Sequence, residues 1–91
     1  MVDSILLVED DRTSRRNLAA FLRLTGHEVY EAQDGEIALS LLTSTQFDVV
    51  ISDLNLPGNL SGLDILDALK TLPRQVDGIL ITGTRLRARQ K

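Results

Sequence analysis

The chain has 91 residues and a formal net charge of −3, with ten Lys and Arg against thirteen Asp and Glu. This length allows one small domain, and the negative balance gives no reason to expect nucleic-acid binding across the chain. The sequence contains no cysteine, which excludes disulfides and thiol-ligated metals. Its first apolar run, Ile5 to Val8, is too short for a signal peptide or a membrane span, so we expect a cytoplasmic protein that does not enter the membrane.

The first elements in chain order are an apolar run, a helical pattern and a weaker strand. Ile5 to Val8 is uninterrupted, as in a strand that a parallel sheet covers on both faces. Arg12 to Leu24 has apolar residues at helical spacing, and Gly26 follows as a stop signal. Glu28 to Glu31 alternates with period two, which is typical of an edge strand. The apolar face expected on the first helix consists of Leu18, Phe21 and Leu22.

Two further helices flank a second apolar run in the middle of the chain. Asp34 is suited to cap a second helix, and Val49 to Ile51 predicts a buried strand. Ser61 with Asp64 resembles a capping box that opens a third helix, and Pro73 is expected to end it. The apolar faces expected on these helices are Ile37, Ala38, Leu41 and Leu42 in the second, and Leu63, Leu66 and Leu69 in the third.

The last apolar run, Ile79 to Ile81, completes the order β-α-β-α-β-α-β. Strict alternation of strands and helices predicts an α/β domain over residues 1–91, with parallel strands, right-handed crossovers and helices on both faces. The final stretch is basic, and we expect a short solvated helix or tail there. Its charged residues are Arg85, Arg87, Arg89 and Lys91.

Polar side chains collect where the strong strands end. Glu9 and Asp10 follow the first strand, Asp53 follows the third, and Thr82 follows the fourth. The carboxyl ends of parallel strands meet at one edge of the sheet, where functional groups gather. Three carboxylates repel one another, and an all-oxygen set suits a hard cation such as Mg²⁺. The alternative interpretation is a solvated acidic loop in which Asp11 caps a helix.

Several segments resemble the receiver domains of bacterial response regulators, and together they reach to about residue 84. The resemblance implies a flavodoxin-like parallel sheet with strand order 2-1-3-4. The matching segments are ILLVEDD at residues 5–11, GHEV at 26–29, AQDGEIAL at 32–39, FDVVISDLNLP at 47–57, GLD at 62–64 and ILITG at 79–83.

The resemblance also implies a role for each residue at the strand ends. Asp53 would be the phosphoacceptor, and Glu9 with Asp10 and Asp53 would bind Mg²⁺. The backbone carbonyl of Asn55 would complete the metal site, and Thr82 would be the switch hydroxyl. The implied activity is two-component phosphorelay signalling rather than enzyme catalysis. The expected partner is a histidine kinase or a phosphotransfer protein.

A complete member of that family would continue through a fourth helix, a fifth strand and a fifth helix, so we expect a C-terminally truncated receiver. The family's lysine and aromatic switch residue on the fifth strand would be absent. The fourth strand, with Ile79, Leu80 and Ile81, would then be a bare edge that favours a homo-oligomer. An alternative function is therefore a degenerate receiver that acts as a dimerisation module without phosphorylation. A small phosphatase is a weaker alternative, because Asn55 stands where its second acidic residue would be.

Overall fold

The computed structural model describes residues 3–82, in which strands and helices alternate as the sequence predicts. The basic tail predicted near the C-terminus lies outside the described residues. The elements are β1 (Ser4–Val8), α1 (Arg12–Leu24), β2 (Glu28–Ala32), α2 (Gly35–Ser44), β3 (Val49–Asp53), α3 (Gly62–Leu69) and β4 (Asp77–Ile81).

The four strands form one parallel sheet in the order β2-β1-β3-β4, which confirms the predicted α/β fold and strand order. Alternate residues of the strands point to opposite faces. On one face, Leu6 and Val50 pack with residues of α2 and α3. On the other face, Ile5 and Leu7 pack with α1. The apolar runs Ile5 to Val8 and Val49 to Ile51 therefore lie on the two central strands, β1 and β3.

Side-chain caps begin all three helices at the predicted residues. The carboxylates of Asp11 and Asp34 accept hydrogen bonds from backbone N–H groups of α1 and α2, at 2.8 Å each. Ser61 and Asp64 form the capping box of α3. The chain leaves α1 through Gly26, whose φ of 98° lies in the region that favours glycine. These caps fix where each crossover turns back toward the sheet.

Some predicted helix faces are wrong in detail. Leu63 is 56% exposed, Phe21 is 61% exposed and Ile37 is 39% exposed. On α3 the buried side chains are those of Ile65 and Leu69, because the position of Leu63 falls outside the stripe that faces the sheet. Apolar spacing identified these helices but allowed more than one orientation of each.

The end of α3 also differs from the prediction. The helix ends at Leu69, four positions before Pro73. After Leu69 the backbone hydrogen bonds join residues three apart, which makes the last turn tighter than an α-helix. Lys70 N–H donates to the Asp67 carbonyl and Thr71 N–H to the Ala68 carbonyl, at 3.1 Å each. The tightening stops the helix before proline is reached.

The fourth strand is only partly covered, as expected for a strand at the edge of the sheet. Ile79 is 50% exposed, and within residues 3–82 β4 pairs on one side only, with β3. At the opposite edge of the sheet, the ring of Tyr30 on β2 meets that of Phe47 edge to face, with centroids 5.3 Å apart. None of the described helices has both the length and the apolar character needed to cross a membrane.

Candidate functional site

Three carboxylates meet at the carboxyl edge of the sheet. Asp53 is the last residue of β3, and Glu9 and Asp10 directly follow β1. Each of the three offers a carboxylate oxygen that lies within 4.8 Å of the other two. Asp53 and Glu9 are buried, while Asp10 is exposed to solvent. The structure therefore brings together the three acidic residues that the sequence placed at separate strand ends.

The loop between β1 and α1 is held at several points. The Glu9 N–H donates to the Ala32 carbonyl at 3.0 Å, which extends the pairing of β1 with β2 by one residue. Glu9 Oε2 accepts a hydrogen bond from the Asp11 N–H at 2.8 Å. Asp11 in turn caps α1 through the Ser14 N–H. Asp11 is therefore a helix cap, as in the alternative interpretation, while Glu9 and Asp10 belong to the carboxylate cluster.

Asp53 lies at the end of β3, tightly packed against the start of α3. The Asn55 N–H donates to Asp53 Oδ1 at 3.3 Å, and the Ser52 hydroxyl donates to the Asp53 carbonyl at 2.9 Å. Gly62, the first residue of α3, lies against the same carbonyl: a Cβ at this position would overlap the Asp53 oxygen and come within 2.9 Å of Leu54 Cα. Glycine thus allows the start of α3 to approach the site.

The cluster makes Glu9 a weaker acid than usual. Burial is the main cause that raises the pKa of Glu9 from 4.5 to about 7, and the side chains of Asp10 and Asp53 raise it further. The hydrogen bond from the Asp11 backbone opposes this change. Three adjacent carboxylates at neutral pH therefore need a bound proton or a cation to offset their repulsion.

The donor set fits Mg²⁺. This ion prefers oxygen ligands at about 2.0–2.1 Å, so oxygens on opposite sides of one ion lie roughly 4.2 Å apart. The mutual distances within the cluster, up to 4.8 Å, are compatible with ligation of a single ion after small side-chain adjustments. Oxygen atoms alone form the set, and such sets suit hard cations better than zinc or copper.

The other two predicted site residues lie beside the cluster. Asn55 is exposed and contacts Asp53 through its backbone N–H. Thr82 is exposed and follows Ile81, which lies opposite Asp53 in the β3–β4 register. Both residues are thus at the correct edge of the sheet for their predicted roles, which remain predictions.

Arg15 contacts the loop between β1 and α1, a contact that the sequence did not predict. Its guanidinium donates to the Glu9 carbonyl through NH1 and to Glu31 Oε1 through Nε, at 3.0 Å each. Arg15 lies one helical turn before Ala19, the fully buried residue of α1. An arginine on the inner face of an amphipathic helix was the available signal, but the partner on β2 could not be read from the sequence.

Comparisons with known proteins agree with this architecture. The family model for the response regulator receiver domain matches residues 5–90. The chain is 39% identical over 83 residues to the response regulator protein FleR of Pseudomonas aeruginosa, which covers 91% of this chain and 17% of that protein. It is 36% identical over 79 residues to the response regulator MprA of Mycolicibacterium vanbaalenii, covering 87% of this chain and 34% of that protein. The chain thus spans between 17% and 34% of the length of these relatives.

Among solved structures, the response regulator TrrA of Thermotoga maritima in complex with Mg²⁺-BeF superposes with a TM-score of 0.81 at 32% identity. The match covers 96% of this chain and 76% of that one. The fold, the strand order and the family match lead to the same assignment: the chain belongs to the response regulator receiver domains of two-component systems.

Proposed function

We propose that this receiver accepts a phosphoryl group on Asp53 in an Mg²⁺-dependent reaction. The observation that carries the proposal is the buried Asp53 carboxylate at the end of β3, with the carboxylates of Glu9 and Asp10 within 4.8 Å. The solved complex of the related TrrA protein with Mg²⁺-BeF supports the proposal by similarity. The donor would be a phosphohistidine of a histidine kinase or phosphotransfer protein in the cytoplasm.

In the proposed transfer, an oxygen of ionised Asp53 attacks the phosphorus of the donor. The bond between phosphorus and the donor imidazole breaks, and the product is an acyl phosphate on Asp53. Glu9 and Asp10 would hold Mg²⁺ together with Asp53 and the Asn55 carbonyl. The ion would supply positive charge to the phosphoryl oxygens. The Thr82 hydroxyl would donate a hydrogen bond to the transferred group, as a switch residue rather than as an acid or base.

The test is intact-mass spectrometry after incubation with acetyl phosphate and Mg²⁺. The wild-type chain should gain the mass of one phosphoryl group, and chelation of Mg²⁺ should abolish the gain. Asp53→Asn keeps the side-chain shape but removes the nucleophilic carboxylate, so it should show no gain. Asp67→Asn, which changes an exposed carboxylate on α3, should behave as wild type.

A folded wild-type chain that never gains this mass would contradict the proposal. That result would favour the alternative function, a receiver that signals by association without phosphorylation. Circular dichroism of the same sample establishes whether the chain is folded, so an unfolded preparation cannot be mistaken for an inactive one.

We also propose that residues 1–91 act as one receiver unit and that its edge strand β4 pairs with a second copy. Ile79 exposes half of its surface, and Leu80 and Ile81 are only partly buried. An apolar strand edge is a template for pairing with another chain. The homodimer is separate from the phosphoacceptor proposal, because either could hold without the other.

A further inference from the structure

We propose that Arg15 is a positioning residue that holds the backbone of Glu9 so that the Glu9–Asp10 pair faces Asp53. This inference rests on the proposed Mg²⁺-dependent phosphorylation, because it assigns Arg15 to the same site. The side chain of Arg15 is only 13% exposed, so its charge is largely removed from water. Such a charge is stable only with well-placed partners, and the partners of Arg15 lie on two different elements.

The first partner lies on the loop between β1 and α1, residues 9–11, which we call the metal-site loop because it carries Glu9 and Asp10. Arg15 NH1 donates to the Glu9 carbonyl at 3.0 Å, on the residue that supplies one carboxylate of the cluster. The Glu9 N–H is held on the other side by the Ala32 carbonyl at 3.0 Å. Both backbone groups of Glu9 are thus bonded, which fixes the direction in which its Cα–Cβ bond leaves the backbone.

The second partner anchors Arg15 to the sheet. Arg15 Nε donates to Glu31 Oε1 at 3.0 Å, on strand β2. The other oxygen of Glu31 accepts from Arg23 NH1 at 3.2 Å, and Arg23 NH2 donates to the Val29 carbonyl at 2.7 Å. The Glu31 carboxylate is thus fixed between two arginines of α1. The chain of contacts runs from the edge strand to the metal-site loop.

The guanidinium plane explains why arginine suits this position. Its N–H groups point in fixed directions, so one side chain can bond a carboxylate and a backbone carbonyl at the same time. Lysine has a single charged nitrogen on a flexible chain and would not reproduce both contacts with the same geometry. Groups that orient metal ligands in this indirect way typically change metal affinity by about 10- to 100-fold when they are removed.

The experiment compares four variants with the wild-type chain. Arg15→Met removes the guanidinium, Arg15→Lys keeps its charge, and Glu31→Gln weakens the anchor on β2. Arg16→Met is the matched control, because Arg16 is an exposed arginine on the same helix. The Mg²⁺ dissociation constant is measured by isothermal titration calorimetry. Amide hydrogen exchange at Glu9 and Asp11 is measured by NMR without metal.

We expect Arg15→Met to weaken Mg²⁺ binding about 10-fold or more and to speed amide exchange at both positions. Glu31→Gln should change both quantities in the same direction but by less. Arg15→Lys should resemble Arg15→Met more than the wild type, while Arg16→Met should match the wild type. If Arg15→Met does not fold, Glu31→Gln carries the comparison.

Several outcomes would overturn the inference. Full recovery in Arg15→Lys would mean that charge acts without positioning. Equal effects in Arg15→Met and Arg16→Met would mean that any loss of positive charge on α1 weakens binding. Unchanged Mg²⁺ affinity in Arg15→Met would mean that Arg15 does not act on the metal site. A wild-type chain that does not bind Mg²⁺ would refute the proposed function instead, and the amide exchange in metal-free protein would then decide the role of Arg15 by itself.

Discussion

Gly62 lies where α3 begins against the end of β3, and its hydrogen side chain is a steric requirement. A Cβ there would overlap the Asp53 carbonyl oxygen, approach Leu54 Cα at 2.9 Å and meet a methyl group of Leu80 at 2.9 Å. Two of these three neighbours are backbone atoms, which cannot move aside as the end of a flexible side chain can. Any added atom therefore displaces either the helix or the strand that carries Asp53.

We expect Gly62→Ala to lower the free energy of unfolding by about 1–3 kcal/mol, the usual cost of overpacking. Urea denaturation followed by circular dichroism measures the change. Gly78→Ala is the matched control, because the nearest atoms to its Cβ belong to the side chains of Leu66 and Leu69, at 3.0 Å and 3.1 Å. Those side chains can shift, so the control should cost less. Equal costs at the two positions would contradict the explanation.

At the scale of single residues, the sequence predicted the acidic cluster because strand ends and carboxylates are both visible in it. The meeting of Glu9, Asp10 and Asp53 at one edge of the sheet follows once the strands are taken to be parallel. The contacts of Arg15 were not predictable, because Glu31 comes near it only after β2 folds back beside β1. The exposure of Leu63 was missed for a similar reason: helical spacing does not state which side of the helix meets the sheet.

Among the elements, the start of β3 is fixed by one carboxylate. Asp48 Oδ2 accepts from the Ser4 N–H at 2.8 Å, at the start of β1, and Asp48 Oδ1 accepts from Arg74 NH2 at 3.0 Å, in the segment before β4. The hydrogen bond from Ser4 is the main cause that lowers the pKa of Asp48, and Arg74 adds to it. Asp48 therefore connects three strands at the amino edge of the sheet.

The lowered pKa of Asp48 predicts a pH dependence with a definite sign. The folded state binds the Asp48 proton less readily than the unfolded state, so the contribution of Asp48 is complete above the unfolded pKa of about 3.8 and is lost as the pH falls through the folded value. Urea denaturation between neutral pH and acidic pH should show a smaller acid-induced loss for Asp48→Asn than for the wild type. Asp67→Asn, an exposed carboxylate variant, should follow the wild type; identical curves for all three would count against this role of Asp48.

The boundaries of the elements were predictable wherever a cap marked them. Asp11, Asp34 and Ser61 each carry a side-chain acceptor directly before a helix, and the structure confirms all three caps. The end of α3 was predicted too late, because Pro73 marks where a helix cannot continue and not where hydrogen bonding tightens. The start of each helix is thus marked by a capping side chain, while the end of α3 depends on a change in backbone hydrogen bonding that no residue type marks.

For the molecule as a whole, the proposed homodimer through β4 has a direct test. Ile79→Lys places a charge on the half-exposed edge strand, where lysine is known to oppose strand pairing. Sedimentation equilibrium at micromolar concentration should give a dimer for the wild type and a monomer for this variant. Leu63→Lys, a similar change at an exposed position of α3, should leave the dimer intact. A wild-type monomer, or a variant that remains dimeric, would count against pairing through β4.

The global arrangement was the part of the fold that the sequence specified most completely. Alternating strands and helices predict a parallel sheet, and the resemblance to receiver domains supplied the strand order that the structure confirms. Coverage of the sheet followed from the strand order and not from the apolar runs alone. Both β1 and β4 contain an uninterrupted apolar run, but Leu6 on the central strand is fully buried, while Ile79 on the edge strand is half exposed.

The edge-to-face contact of Tyr30 with Phe47 has a practical consequence for solution work. The chain has one tyrosine and no tryptophan, so its near-ultraviolet emission comes almost entirely from the Tyr30 ring. That ring is half exposed on β2 and joins this edge strand to the segment that leads into β3. The intrinsic fluorescence of the chain therefore reports on the contact between the Tyr30 and Phe47 rings, and a change in the emission would record the loss of that contact.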